Sequence, residues 1–553
     1  MIDRLVAFHH WILLSDGHGR RLVAFLAGAV GALALAPIGF VPALALALPV
    51  AVWLLDGATG GPGRFSSAAL RTAARDGWWF GFGYFLAGLW WIGAAFLVET
   101  DEFAWALPLG VLGLPAGLAL FMAAAFVLAR AFWVAGAPRV LVLAGAIGLS
   151  EYLRHSLLTG FPWNTFGQGL GAWLVTAQAA SLIGTEGLTL LAVMIFAAPA
   201  TLVDHPSRPV LRQRPFLLAL ALLVAVIGFG AARLLLAGGF RPSNDPAATV
   251  AGVRLRIVQP NISQRDKIAE RDGLSVLRRL LALSDRATGP QSTGMVDASH
   301  IFWPESPFPF LLTGEPQAMA ELARTLPQTV TLLTGAVRAE AAGGGPRAYF
   351  NSLLAIGPAG RLLATYDKMH LVPFGEYLPL ERVLSTLGLR RFVHAPGAFT
   401  AGTERRLLDL PGLPPVLPLI CYEAIFPHEL LAGGGRPGLI VNVTNDAWFG
   451  ETFGPHQHFA QARLRAIEFG LPLVRVANTG ISGLVDAYGR SVASSPVGVE
   501  SIIDVLLPKA LPETAYSVYG SYIGLYGAML AIVLGLMAAA VVNLLDRSRS
   551  KRQ

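Results

Sequence analysis

One cysteine, Cys421, stands among 553 residues. That excludes an internal disulfide, so bridges say nothing about redox compartment. Charge is scarce too: 14% of residues are charged and 54% are hydrophobic. A soluble globular chain carries roughly 25% charged residues. The composition therefore excludes an ordinary soluble protein and points to a bilayer. No internal repeat and no low-complexity tract is present. The net charge of +7 is modest, and the basic residues gather at the ends of apolar runs. That pattern reads as membrane topology rather than a nucleic-acid surface. The length is too great for one ordinary domain.

Apolar runs fit to cross a bilayer recur over 22–37, 38–56, 77–98, 106–133, 138–155, 175–203 and 214–237, with a last one at 521–545. The first two are joined by "APIGF", which predicts a tight helical hairpin. Arginines sort by loop. Arg4, Arg20 and Arg21 precede the first run; Arg64, Arg71 and Arg75 follow the second. Arg130 and Arg139 follow the fourth, Arg208, Arg212 and Arg214 the sixth, and "DRSRSKRQ" the eighth. The alternate loops are poor in Arg and Lys, and "VETDEFAW" (98–105) is acidic. The positive-inside rule then expects eight spans with both termini cytoplasmic. The segment between spans seven and eight is expected outside, in the periplasm of a bacterium-like cell. The apolar run before residue 15 is short, so no cleavable signal peptide is expected.

Residues 248–510 read differently. "VRLRIVQPNI", "HIFWPES", "TLLTGAV", "YFNSLLAIG", "LPLICYE", "LIVNVTND", "PLVRVANTG" and "SGLVDAYG" have strand character. "GLSVLRRLLALSDRA", "PQAMAELARTL" and "HQHFAQARLRAIEFG" have helical character. The alternation predicts a layered α/β domain. The stretches 237–250 and 506–517 read as linkers. The expected organisation is a seven-span membrane domain over 1–237, a catalytic domain over 248–510, and a last transmembrane helix with a basic tail over 518–553.

Three ends of strands or loops in the α/β segment carry unusual polar residues: Glu305 after "IFWP", Lys368 within "TYDKMHLVPFGEYLP", and Cys421 after "LPLI". A cysteine attacks as thiolate, so it needs a base for its proton or a cation to lower its pKa. A carboxylate in an apolar surround suits the first task, since desolvation raises its pKa. A lysine beside the reacting carbonyl stabilises the oxyanion. Taken singly, each residue has a plainer reading. A thiol in an apolar run is usually structural, and a lone Lys or Glu is usually a solvated or paired charge.

"WPES", "DKMHLVPFGEYLP" and "CYEAIFP", in that order, resemble the motifs of the nitrilase (carbon–nitrogen hydrolase) superfamily, over roughly residues 250–505. The ordered set reverses the odds in favour of catalysis. The resemblance implies an αββα sandwich with Glu305 as general base, Lys368 as electrostatic stabiliser and Cys421 as covalent nucleophile. It also implies supporting roles for Glu376 and Glu423, and a looser positioning role for Asn261 and Asn445. Tyr422 is expected to shape the acyl pocket. One departure is that "NISQRDKI" lacks the Trp that follows this motif in several superfamily members.

The spans and the domain order together resemble the apolipoprotein N-acyltransferase family along nearly the whole chain. That resemblance implies an acyl chain taken from a phospholipid, a thioester on cysteine, and transfer to the α-amine of a diacylglyceryl-cysteine on an apolipoprotein. It places the protein in a bacterial inner membrane and calls for no metal or diffusible cofactor. Oligomeric state is not readable. The rival readings are a membrane-tethered amidase that uses water as acceptor, and a non-enzymatic receptor that has kept the fold.

Apolar loops flank the motifs: "SPFPFLL" (306–312), "RRFVHAPGAF" (390–399), and "DAWFGETFGP" (446–455) with Trp448, Phe449 and Phe453. Some of these are expected to dip into the headgroup region or gate the pocket. "GPHQHFAQ" invites a metal reading through His456 and His458. Alternate helical residues do not share a face, and no acidic cluster accompanies them, so that reading is disfavoured. "FPWN" (161–164) reads as a turn with an interfacial Trp.

Overall fold

The structure is a computed structural model. It describes all residues except 1, 60–64, 244, 264–272, 341–346, 382–385, 387–397, 431–434, 521 and 551–553. Most of "RRFVHAPGAF", the end of "NISQRDKI" and the last residues of the basic tail lie outside the described residues. The chain divides into two compact units, Met1–Ala237 with Ala515–Gln553, and Gly238–Thr514.

The first unit is helical. Among the described residues, five of its helical segments are long and apolar enough to cross a membrane: Ser67–Leu97, Thr100–Ala131, Ala180–Val203, Arg214–Leu236 and Tyr522–Leu544. The other three expected spans also contain helices, each with a physical reason for falling short. Gly17–Gly31 has 15 residues, and Leu44–Asp56 has 13 with Pro49 inside. The turn between these two holds "APIGF", as the hairpin reading expects. Arg139–Ser156 has 18 residues but carries Arg139, Glu151 and Arg154. Those charges are satisfied inside the unit. Arg139 donates to both oxygens of Asp204 at 2.7 and 2.8 Å. Glu151 accepts from the Phe166 N–H at 3.0 Å and the Thr189 hydroxyl at 2.6 Å. Arg154 donates to the Phe161 and Trp163 carbonyls at 2.6 Å each. Trp163 of "FPWN" is buried against Trp91, with ring centroids 5.2 Å apart. It is a packing residue, not an exposed interfacial one.

The second unit contains eleven described strands: β1 Thr249–Gln259, β2 His300–Phe302, β3 Thr331–Glu340, β4 Ala348–Ile356, β5 Leu362–Asp367, β6 Val416–Ile420, β7 Leu439–Thr444, β8 Leu473–Ala477, β9 Gly483–Val485, β10 Ser491–Ser494 and β11 Ser501–Pro508. They form two sheets, ordered β11-β1-β2-β3-β4-β5 and β10-β9-β8-β7-β6. Parallel pairs sit centrally in the first sheet (β1-β2-β3) and at one side of the second (β6-β7-β8); the remaining pairs are antiparallel. Leu255, Ile257, Phe302 and Leu333 of the first sheet share one apolar core with Ile420, Val441, Val443 and Val474 of the second. The helices Gly273–Asp285 and Pro316–Thr325 cover the other face of the first sheet, through Leu277, Leu280 and Leu322 on Ile301, Leu332 and Leu354. The helix Phe453–Phe469 packs on β8 and on the turn after β6. The layering is the expected αββα sandwich.

Three strands escape sequence reading: β5, β10 and β11. All lie at or next to sheet edges, where one-sided burial blurs the apolar pattern. The strand expected over "LPLICYE" stops at Ile420, where its pairing with β7 ends. Cys421 opens a 3-10 turn over Cys421–Ile425.

Candidate active site

Strands β2, β5 and β6 deliver the residues that follow them to the candidate site. β2 runs out through Trp303 and Pro304 to Glu305. That exit is held where the Gly335 N–H donates to the Pro304 carbonyl at 3.1 Å. A Cβ on Gly335 would lie 2.6 Å from Glu305 Cα, so only glycine lets β3 pass this close. Lys368 follows β5, with its N–H donating to the Asn351 carbonyl on β4 at 2.8 Å. Cys421 follows β6, with φ of 52°. That left-handed conformation is costly for a residue with a side chain, so the surroundings must hold it.

Glu305, Lys368 and Glu376 are buried together. Lys368 Nζ lies 3.0 Å from Glu376 Oε1 and 3.4 Å from Glu305 Oε1. Asn351 Nδ2 donates to the same two oxygens, at 2.7 Å to Glu305 and 2.8 Å to Glu376. The second oxygens are also occupied: Glu305 Oε2 accepts from the Asn445 N–H at 2.9 Å, and Glu376 Oε2 from the Val372 N–H at 2.8 Å. Burial works against the Lys368 ammonium, but Glu376 and Glu305 outweigh it and hold its pKa above the ordinary lysine range. Lys368 is a fixed cation.

Cys421 is partly exposed. Its thiol senses both members of that cluster. Burial pushes its pKa up, the Glu305 charge adds to this, and Lys368 offsets only part of it; Asp446 raises it further and a hydrogen bond with Thr444 lowers it. The net direction is upward, so the resting group is a protonated thiol. Such a thiol attacks only if a base takes its proton in the same step. A carboxylate that couples to the thiol and contacts a fixed cation is arranged for that task.

Glu423 faces the other way. Its Oε2 accepts from the Ile420 N–H at 2.8 Å. Its Oε1 accepts from the Tyr366 hydroxyl at 2.7 Å, the Met369 N–H at 2.9 Å, the His370 N–H at 3.4 Å and Arg405 Nη2 at 3.1 Å. It clamps the Cys421 turn to the segment that follows Lys368. Tyr422 is buried, edge-on to His370 and Phe426 at 5.5 and 5.0 Å. Trp448, Phe449 and Phe453 are half-buried, on the 3-10 turn Asp446–Phe449 and at the start of the helix Phe453–Phe469. The "SPFPFLL" loop turns inward: Phe308 and Leu312 join the core beneath the first sheet. Packing accounts for these two residues, while Pro309 between them stays exposed.

Asn351, Arg405, Tyr366 and Asp446 are site residues that sequence reading missed. Asn351 alone left a usable signal, a polar residue inside the apolar run "YFNSLLAIG". Asn261 and Asn445 are tied together through Asn478. The Asn478 carbonyl accepts from the Asn261 N–H at 3.0 Å, and its Nδ2 donates to Asn445 Oδ1 at 3.2 Å. Among the described residues, no group of three or more His, Cys, Asp or Glu is arranged to hold a metal ion.

Comparison with known proteins places both units. The carbon-nitrogen hydrolase profile matches residues 256–502, and the apolipoprotein N-acyltransferase N-terminal domain profile matches residues 27–198. An apolipoprotein N-acyltransferase of Bradyrhizobium diazoefficiens is 51% identical over 529 residues, covering 95% of this chain and 96% of the relative. One from Rhodopseudomonas palustris is 48% identical over 511 residues, covering 92% and 93%. Among solved structures, an amidase from Nesterenkonia sp. AN1 is similar at 19% identity and a TM-score of 0.34, covering 48% of this chain and 94% of the amidase. With a nitrilase-like catalytic unit, an apolar helical unit and near-full-length relatives at this identity, the chain belongs to the apolipoprotein N-acyltransferase family.

Proposed function

We propose that this protein transfers a fatty acyl chain from a membrane phospholipid, through a thioester on Cys421, to the amine of a diacylglyceryl-cysteine at the start of an apolipoprotein. The observation that carries the mechanism is the burial of Glu305, Lys368 and Glu376 on one hydrogen-bonded cluster, electrostatically coupled to a protonated thiol. Glu305 takes the Cys421 proton as sulfur attacks the ester carbonyl. Lys368 stabilises the oxyanion. The tetrahedral adduct collapses, Glu305 returns the proton to the departing alkoxide, and lysophospholipid leaves. The lipoprotein amine then attacks the thioester and loses a proton to Glu305, and the thiol is regenerated as the amide forms. The scheme is ping-pong and draws on no cofactor.

The same reading takes Glu376 and Asn351 as the groups that orient Lys368 and Glu305, and Tyr422 as a wall of the acyl pocket. Trp448, Phe449 and Phe453 meet lipid at the rim. The chain makes eight crossings, with residues 248–510 on the periplasmic side of a bacterial inner membrane. The arginine-rich alternate loops support that topology. Two lipid-anchored substrates in one leaflet meet at a high effective concentration.

The test is intact-mass analysis after incubation with phospholipid alone. A mass gain of one acyl chain is expected on the wild type, removable by hydroxylamine and absent from Cys421→Ala. An equal gain on Cys421→Ala would sink the thioester. Steady release of free fatty acid without an acceptor would favour the amidase-like reading, in which water is the second substrate.

A further inference from the structure

The Cys421 turn is gripped from two sides, and only one grip lies within its own motif. Glu423 holds the N–H of Ile420. On the far side, His458 Nε2 lies 3.1 Å from the Cys421 carbonyl oxygen, and its Nδ1 lies 2.9 Å from Asp446 Oδ1. His458 and Asp446 are both buried. Asp446 Oδ1 also accepts from the Thr444 hydroxyl at 3.0 Å, and its Oδ2 accepts from Arg475 Nη2 at 2.8 Å. Arg475 donates onward to Asn442 Oδ1, and Asn442 Nδ2 donates to the Leu419 carbonyl at 3.3 Å. The network therefore links the ends of β6, β7 and β8 to the helix Phe453–Phe469. His456, two residues from His458, has no share in it, as their different helix faces require.

We propose that His458 is a positioning residue for the nucleophile, holding the Cys421–Tyr422 peptide by its carbonyl, with Asp446 and Arg475 fixing the ring from behind. The proposal deepens the acyl-transfer reading and rests on it for the reaction assisted. Both ring partners are acceptors, the Asp446 carboxylate at Nδ1 and the Cys421 carbonyl at Nε2. Burial first, and then Arg475, hold the ring's pKa below the ordinary histidine range, against the opposite pull of Asp446 and the Cys421 carbonyl. The peptide is planar, so fixing its carbonyl also fixes the side on which the Tyr422 N–H lies. It further constrains the Cα from which the sulfur projects. At a residue with φ of 52°, such a tether keeps a strained pose from relaxing.

The test uses the full-length protein in detergent micelles with phosphatidylethanolamine at varied mole fraction. A misplacement near 1 Å costs about 100-fold in rate, so His458→Leu is expected to slow maximal acyl-adduct formation by about 30- to 100-fold. The apparent KM for phospholipid is expected to stay within about twofold, because substrate binding is not what the tether serves. His458→Gln places an amide N–H where Nε2 stood and is expected to recover to within about fivefold of wild type. Iodoacetamide alkylation of the sole cysteine is expected to follow the same order, slowed in the Leu variant and restored in the Gln variant. Wild-type rates in His458→Leu, equal losses in both variants, or a loss confined to KM would overturn the proposal. If the Leu variant does not accumulate, Asp446→Asn keeps the shape and removes the carboxylate that faces Nδ1; about a tenfold loss is expected, and an unchanged rate would overturn the proposal. A wild type that forms no acyl adduct would sink the acyl-transfer reading alone, and the alkylation order would still decide the role of His458.

Discussion

Two buried carboxylate–cation clusters flank Cys421, and they are built on different plans. In one, Lys368 sits between Glu305 and Glu376, and Asn351 bridges the same two oxygens. Side chains dominate, and the charges reach the thiol. In the other, Glu423 collects three backbone N–H groups, a phenol and Arg405. There the carboxylate ties loops together. A buried charge earns its place either by acting on a reacting group or by satisfying backbone that no sheet satisfies. All three glutamates, Glu305, Glu376 and Glu423, sit in stretches that resemble motifs of one superfamily, so the motif alone does not tell the two jobs apart. Their partners do.

The comparison is broken most directly at Lys368. Lys368→Met removes the cation that opposes the upward push on the thiol and that is proposed to stabilise the oxyanion. Acyl-adduct formation should fall by about 1000-fold, the loss seen when such a donor is removed. The pH midpoint for alkylation of Cys421 should also move up, since the group that lowers the thiol's pKa is gone. A midpoint that stays put would show that Lys368 does not reach the sulfur. The second break is Glu423→Gln. An amide offers one acceptor oxygen where the clamp uses two, so either the Ile420 N–H or the Arg405 side faces a donor. The expected cost is on the order of 3 kcal/mol of stability, as for a buried charge that loses its partner. It should be read as a lower unfolding midpoint of the full-length protein, with adduct formation retained by the folded fraction. Full stability with lost rate would move Glu423 into the reacting cluster.

What sequence reading reaches follows the same division. Glu305 and Cys421 each close an apolar run, where strand patterning and motif coincide; Lys368 follows β5, a strand the pattern does not reveal, and is marked by its motif alone. Their meeting depends on strand order, which alternation does not encode. Asn351 points into the site because of the register of β4 between β3 and β5. Within its own run it is one polar residue among apolar ones. Arg405 lies in a stretch without periodicity and finds Glu423 18 residues further on. His458 was visible only as half of an unconvincing metal pair; its partner Asp446 lies 12 residues earlier, on a different element. In the helical unit, Arg139–Ser156 forms a helix where a span is expected, and its internally paired charges are what keep it from standing out as a long apolar segment.

The smallest expected effect sharpens the comparison most finely, because it removes one donor and nothing else. Tyr366 is buried beneath Arg405, and its hydroxyl donates to Glu423. Burial first, and then the Glu423 charge, push its pKa far above the ordinary phenol range, so it remains a donor at any working pH. Tyr366→Phe keeps the ring and its packing. Glu423 Oε1 keeps three other donors, so no acceptor is orphaned. The expected loss is about 1 kcal/mol. In a unit of this size that corresponds to a drop of about 2–4 °C in unfolding midpoint. Adduct formation should stay within about threefold of wild type, since the hydroxyl acts on a clamp that has four remaining anchors. A loss of rate approaching that of Lys368→Met, with the midpoint unchanged, would mean that the Glu423 clamp transmits its state to the segment after Lys368. The two clusters would then be one machine rather than a reacting group and its frame.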